Sequence, residues 1–211
     1  MDALETKYKT EAVLVNEGIS INKNLPKIED ISEFSFANVS NIRKRAVALS
    51  YVLAKAFGAP HDLLQNSINT NDLVAIFSPN ELSLINEKNP TQECSQQFQL
   101  SVEALWELAW VLGLIPKVNH WDYCGNNLVN LTPKPGDDPS EFLSSNQMRA
   151  HESIYEEADF LFRLHWASRE AYLTGQPEPT GVPEYVIDQR HKVINWVSFG
   201  EVSWDEVDTS T

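Results

Sequence analysis

The stretch SNQMRAHESIYEEADFLFRLHWASREAYL, Ser145 to Leu173, is the longest helical pattern in the chain, and its reading decides the fold. On a helical projection Ile154, Ala158, Leu161, His165 and Tyr172 form one line, widened by Tyr155, Phe162, Trp166 and Leu173. Phe160, Leu164, Ala167 and Ala171 form a second apolar strip. Between the strips runs a thin charged ridge of Glu156, Asp159, Arg163 and Glu170, with Asp159 one turn before Arg163. A helix of this kind is predicted to be covered over most of its circumference, with the rest of the chain packed around it.

The natural partner is a second apolar helix predicted over Thr91 to Leu112. Phe98, Val102, Leu105, Ala109 and Leu112 share one line, Trp106 and Trp110 lie beside it, and Leu108 and Val111 occupy the far side. Its polar exception is again an acidic pair one turn apart, Glu103 and Glu107. A buried carboxylate without a partner costs several kcal/mol. The pattern therefore predicts that Glu103 or Glu107 meets Arg163 across the interface between the two helices.

The remaining segments read as shorter helices with recognisable punctuation. Ala3 to Glu17 is amphipathic and stops at Gly18. The piece ISINKNLPKIED, with Pro26, reads as an extended connector. From an Asn38 or Ser40 cap, Ile42, Ala46, Leu49, Leu53 and Ala56 run to Gly58. One or two helices follow between His61 and Phe77. Ser78-Pro79-Asn80-Glu81 is a capping box that starts another, and Glu184 to Val197 is the last. Lys117 to Ser144 is turn-rich and reads as a long loop, and the tail from 198 to 211 places Trp204 among acids, where folding back would cover a large apolar ring. The expectation is an all-α, single-domain irregular bundle of about seven helices spanning 1–211, with no substantial sheet.

Composition bounds the function. The 211 residues are 42% hydrophobic, enough for one core. The start Met1-Asp2-Ala3-Leu4-Glu5 lacks the features of a secretory signal, and the longest apolar run, Ala104 to Ile115, contains Glu107 and is too short for a membrane span. A cytoplasmic protein is expected. Cys94 and Cys124 are too few for a disulfide framework and read as small buried hydrophobes.

Charge is distributed unevenly. The formal net charge is -14, and the segment from Asp137 onward carries 15 acids against 5 Lys and Arg, whereas the first 57 residues are balanced, with 8 basic and 7 acidic. Such a field repels nucleic acid and anionic membrane and accelerates encounter with a basic protein. Its bland alternative is that acidity keeps the protein in solution. The lone basic triplet, Arg43-Lys44-Arg45, opens a helix where the dipole disfavours it. Pairing with the acidic C-terminal half is its expected resolution.

Five features together resemble the bacterial family catalogued as domain of unknown function 4272. These are the helix running from Glu103-Ala104 to Trp110-Val111-Leu112-Gly113, the segment from Asp159 to Arg163-Leu164-His165-Trp166, and the Arg190 helix ending Asn195-Trp196. The others are Trp204-Asp205 with Asp208-Thr209, and the Leu25-Pro26 connector. The resemblance spans most of the chain. It implies a mostly helical fold and supplies no activity, so it names no catalytic residue.

Motifs for common chemistries are missing from the residues. Di-metal carboxylate bundles need Glu-x-x-His pairs, and neither Glu103, Glu107, Glu152 nor Glu156 has His three residues on. His151-Glu152-Ser153-Ile154-Tyr155 begins like a zinc-protease helix but has Tyr155 at the second ligand position. The histidines at 61, 120, 151, 165 and 191 share no ligand spacing, and no cofactor is expected. Two functional readings survive. One is a non-enzymatic acidic protein that binds a basic partner, of the kind an immunity or antitoxin protein uses to plug a basic toxin. Its candidate contacts are Trp121, Asp122, Trp204, Asp205 and Glu206 with the acids of the last two helices. The other is a small-molecule binder or enzyme built on Glu103, Glu107, Asp159, Arg163, His165 and Arg190 in a cleft between the long helices.

Overall fold

In the computed structural model, residues 2–211 are described, and their regular elements are helical. The chain forms α1 (Ala3–Asn16), α2 (Val39–Ala56), α3 (His61–Thr70), α4 (Pro79–Asn86), α5 (Gln92–Gln99), α6 (Val102–Val111), α7 (Ser140–Ser144), α8 (His151–Thr174) and α9 (Glu184–Ser198), with 3-10 turns between them. The all-α expectation holds. Among the described residues the sole strand-like pairing is one bridge between Ser35 and Phe199.

Local punctuation works as the sequence indicates. The Asn38 side chain accepts from the Asn41 amide and starts α2. Ser78 and Glu81 close a capping box around Pro79 at the head of α4. Gly18, at φ 78°, turns the chain out of α1.

The helix count exceeds seven because one predicted helix divides and the long loop yields another, α7. Thr91 to Leu112 breaks after Gln99, and the break lets the two halves serve different hydrophobic clusters. Cys94 and Phe98 of α5 pack on a cluster made by α2, α3 and α4, whereas Ala104 to Val111 of α6 belong to the larger cluster of α2, α6, α8 and α9. Between the two clusters stands α2. Ile42, Ala46, Leu49 and Leu53 face the larger one, and Val47, Ala48, Tyr51 and Val52 the smaller, so α2 is enclosed on nearly all sides.

The opening stretch also becomes helical later than its pattern suggests. Residues 145–150 stay non-helical, because Arg149 is committed to the end of α6. Its amide donates to the Val111 carbonyl at 2.8 Å, and its guanidinium donates to the carbonyls of Trp110, Ile115 and Pro116 at 2.7–2.8 Å. The Val111 carbonyl is one that a helix terminus otherwise leaves unpaired. At the other end of α8, Tyr172 and Leu173 were expected on the apolar face and are instead 70% and 68% exposed, lining an open groove with Glu178 and the Pro183–Tyr185 start of α9.

The expected pairing of the two long helices is replaced by a wedge. α9 lies against both α8 and α6, while α8 is backed by α1. The piece 19–30, expected to be an extended connector, is non-helical and turns at 23–25, and the chain continues through a 3-10 turn at Ile31–Glu33 past the end of α9, where Ala37 donates to the Val197 carbonyl and Gly200 to Ser35. A side chain at Gly200 would stand 2.5 Å from the Ala37 Cα, so only glycine permits this approach. None of the described helices is long and apolar enough to cross a membrane.

Candidate functional site

Two acids on α6 have opposite fates. Glu103 is paired with Arg190 of α9, whose Nη2 and Nε lie 2.7 and 3.2 Å from one carboxylate oxygen. The other oxygen accepts from the Cys124 amide at 2.9 Å. Arg190 also donates to the carbonyls of Asn119 and Asp122. This fully buried pair therefore pins the 119–124 segment to the helices. Burial and the neighbouring Glu103 push the Cys124 thiol up to about 11, leaving it a poor nucleophile at neutral pH. Both Cys94 and Cys124 are only partly buried, less than the core hydrophobes they were expected to be.

One turn on, Glu107 is fully buried, and neither of its oxygens has a hydrogen-bond partner. Desolvation, followed by the charge of Glu157, holds its carboxyl well above the usual range, with Arg190 pulling the other way. Beside Glu157 stands His120, with Nε2 2.9 Å from its carboxylate. Glu107 thus sits unpaired, with its protonated form favoured, at the junction of α6, α8 and the loop.

Arg163 does not reach either α6 acid. Its guanidinium closes on Asp159 of its own helix at 2.8 and 3.0 Å, donates to the Pro26 carbonyl and lies 3.6 Å from Glu11 of α1. The reason is topological: α8 turns its ionic ridge to α1 and the connector, whereas α6 turns its acids toward α9 and the loop. The six polar residues expected around one cleft consequently fall into four separate places. None of them lines the groove beneath the tail or either cavity beside α8.

His165 occupies the fourth place. Its Nε2 lies 3.0 Å from Glu184 and its Nδ1 3.0 Å from Nδ1 of His191 on α9. Burial and the proximity of His165 hold His191 down to about 3, so its imidazole is neutral at pH 7. His191 was absent from the sequence-derived site. The available signal was its spacing, one residue after Arg190 on a helix with a buried face.

The basic triplet is resolved otherwise than expected. Arg43 donates to the carbonyls of Phe142 and Gln147, and Arg45 pairs with Glu81 of α4. The acidic C-terminal half contributes carbonyls and aromatic rings rather than carboxylates, Arg43 facing the Phe142 ring at 4.9 Å and Arg45 the Trp204 ring at 5.0 Å.

Of the candidate interface residues, Trp204 folds back onto Trp196 and Lys192 and is 8% exposed, which leaves little of it to offer a partner. Asp205 accepts from the Asn80 amide and, with Trp204, lines a polar groove between α4, α5 and α9, while Glu206 is exposed. Trp121 is half-buried against His120 and Phe160, and Asp122 is exposed beside it. The two tryptophans share no ring neighbour and stand at separate places on the surface.

Folding makes the exterior more acidic than the composition. Six basic side chains are buried, among them Lys7, Lys55, Arg163 and Arg190, against five acids. From residue 137 onward Asp159 is the one buried acid, and Arg169 is the one fully exposed base.

Among the described residues no three His, Cys, Asp or Glu side chains converge to hold a metal ion. No curated protein and no solved structure matches the chain. A family model described as domain of unknown function (DUF4272) matches residues 6–207, the span that carries α6, the Asp159-Arg163 ridge, the Arg190 helix and Trp204. The protein belongs to the DUF4272 family.

Proposed function

We propose that this protein is a non-enzymatic binding protein whose acidic exterior captures a basic protein partner, in the manner of an immunity or antitoxin protein. The observation that carries this reading is the sorting of charge. Bases are consumed inside, in Arg190-Glu103, Arg163-Asp159, Arg45-Glu81 and the carbonyl contacts of Arg43, while the acids of the C-terminal half other than Asp159 are exposed or partly exposed. A surface so composed steers a basic partner by long-range attraction.

The exposed end of α8 supplies the contact chemistry. Tyr172 and Leu173, among the most exposed large apolar residues, sit beside exposed Glu170 and the partly exposed Glu178 and Glu184. An apolar centre with a charged rim is how interfaces concentrate binding energy. Trp121 with Asp122, and Asp205 with Glu206 on the tail, extend the acidic surface.

Affinity capture from the native host, at low and moderate salt, identifies the partner, and stopped-flow association with the purified pair tests the mechanism. The expected result is a basic partner whose association rate falls more than about threefold from low to physiological salt. Replacing Tyr172 and Leu173 with Ser is expected to raise Kd at least about tenfold, through faster dissociation. A partner that is not basic, or a salt effect below that factor, overturns the reading.

A further inference from the structure

A groove of about 250 Å³ runs between the end of α2, the start of α6 and the 3-10 turn Leu128–Asn130. Leu53, Leu105 and Leu128, all buried members of the larger core cluster, form its floor. Phe57, just past the last turn of α2, and Val129 frame it and are 63% and 65% exposed. Among the described residues only Tyr172 and Leu173 are large apolar side chains that face water more fully. Leu128 fixes the turn in the core, and the next residue, Val129, supplies the apolar wall.

Charge enters this groove at one point. Lys134 is the one charged residue that lines it, Ser50 and Thr132 being neutral. It is exposed, and among the described residues its ammonium pairs with no carboxylate. Asp137, the acid nearest to it in sequence, accepts from the Lys134 amide instead. A lysine so placed lays its stem along apolar surface and keeps its head at the water edge.

We propose that this groove binds a medium-chain amphiphile with one anionic head, such as an alkyl carboxylate. The chain lies on Leu53, Leu105 and Leu128 between Phe57 and Val129, and the head stays at the mouth with the Lys134 ammonium. Small-molecule sites are concave and mostly apolar, with a few polar groups that fix orientation, and this groove has that composition. At about 30 Å³ per water-sized group, its volume holds roughly eight carbons. A cationic head would meet Lys134 with no acid on the lining to offset the repulsion.

The test titrates octanoate, hexanoate and octylammonium into the full chain at pH 7.5 and physiological salt, followed by calorimetry and amide NMR shifts. The formal net charge of -14 favours cations over the surface as a whole, so a preference for the anion reports the local contact. Octanoate is expected to saturate, about tenfold tighter than hexanoate, which lacks two methylenes, and at least about threefold tighter than octylammonium. Shift changes are expected to gather at Ala54, Phe57, Val102, Leu105, Leu128 and Val129. Lys134→Gln is expected to erase the preference for the anion and to leave the dependence on chain length, and the exposure of Lys134 keeps this variant folded. Octylammonium binding as tightly as octanoate, shifts gathered elsewhere, or no saturation by octanoate in the millimolar range overturns the proposal. An anion preference unchanged in Lys134→Gln overturns it too.

Discussion

The two ends of the acidic pair on α6 place the same side chain, one turn apart, in two environments. At Glu103 the surrounding chain supplies a guanidinium and a backbone amide, and each carboxylate oxygen has a partner. At Glu107 the neighbours are another carboxylate and a hydrophobic cluster, and the acid is left unpartnered. The difference teaches that a buried acid can be accommodated in two ways: as half of an ion pair that fastens a loop, or as an unpaired group whose burial favours keeping its proton.

Breaking the paired side has the largest expected effect. Arg190→Met strands Glu103 in the interior and frees the carbonyls of Asn119 and Asp122. It is expected to cost about 3–5 kcal/mol in urea unfolding. Replacing both partners, Arg190→Met with Glu103→Met, is expected to recover at least half of that loss, because no buried charge remains. A double variant as unstable as the single one would show that Glu103 is not held chiefly by Arg190.

Proton linkage extends the contrast to the residue after Arg190. His191 has its folded pKa depressed to about 3 by burial, so its contribution to stability is present above the unfolded value near 6.5 and is lost as pH falls toward 3. The loss is on the order of 4 kcal/mol. Unfolding free energies measured from pH 7.5 to pH 4 are expected to fall more steeply in the wild type than in His191→Phe.

Glu107 runs in the opposite direction. Its folded pKa is raised, so its contribution is full below the unfolded pKa near 4.5 and is lost as pH rises toward the folded value. Glu107→Gln, which mimics the protonated acid, is expected to match the wild type near pH 4.5. At pH 8 it should be more stable than the wild type. Equal stability at both pH values would mean that Glu107 is ionised and paired after all.

The parts legible in the sequence were those with local causes. The Ser78-Glu81 box, the Asn38 cap and the 3.6-residue spacing of α2, α6 and α8 depend on neighbours within a turn or two, and they appear where the pattern placed them. The helix-start error at Ser145 and the exposure of Tyr172 and Leu173 arise elsewhere. Arg149 leaves the helix to reach carbonyls more than thirty residues away, and the last turn of α8 opens onto a groove beside the start of α9 instead of a packed core. Neither fact has a local signature.

The candidate site divides in the same way. That Glu103, Glu107, Asp159, Arg163, His165 and Arg190 are buried and ionisable was readable from their positions on apolar helices. Which of them meet was not. Arg163 could as well have faced α6, and only the wedging of α9 between α6 and α8 gave Glu103 to Arg190 and His165 to His191.

By itself, then, the amino-acid order determined the helices, their caps, the family and the acidic balance, because periodicity, capping and charge are properties of a chain read a few residues at a time. The tertiary structure alone decided the partner of every buried charge, the burial of Trp204 and the groove between α2 and α6. These depend on which helix faces are brought within about 4 Å of one another, and that is settled by packing across the whole molecule.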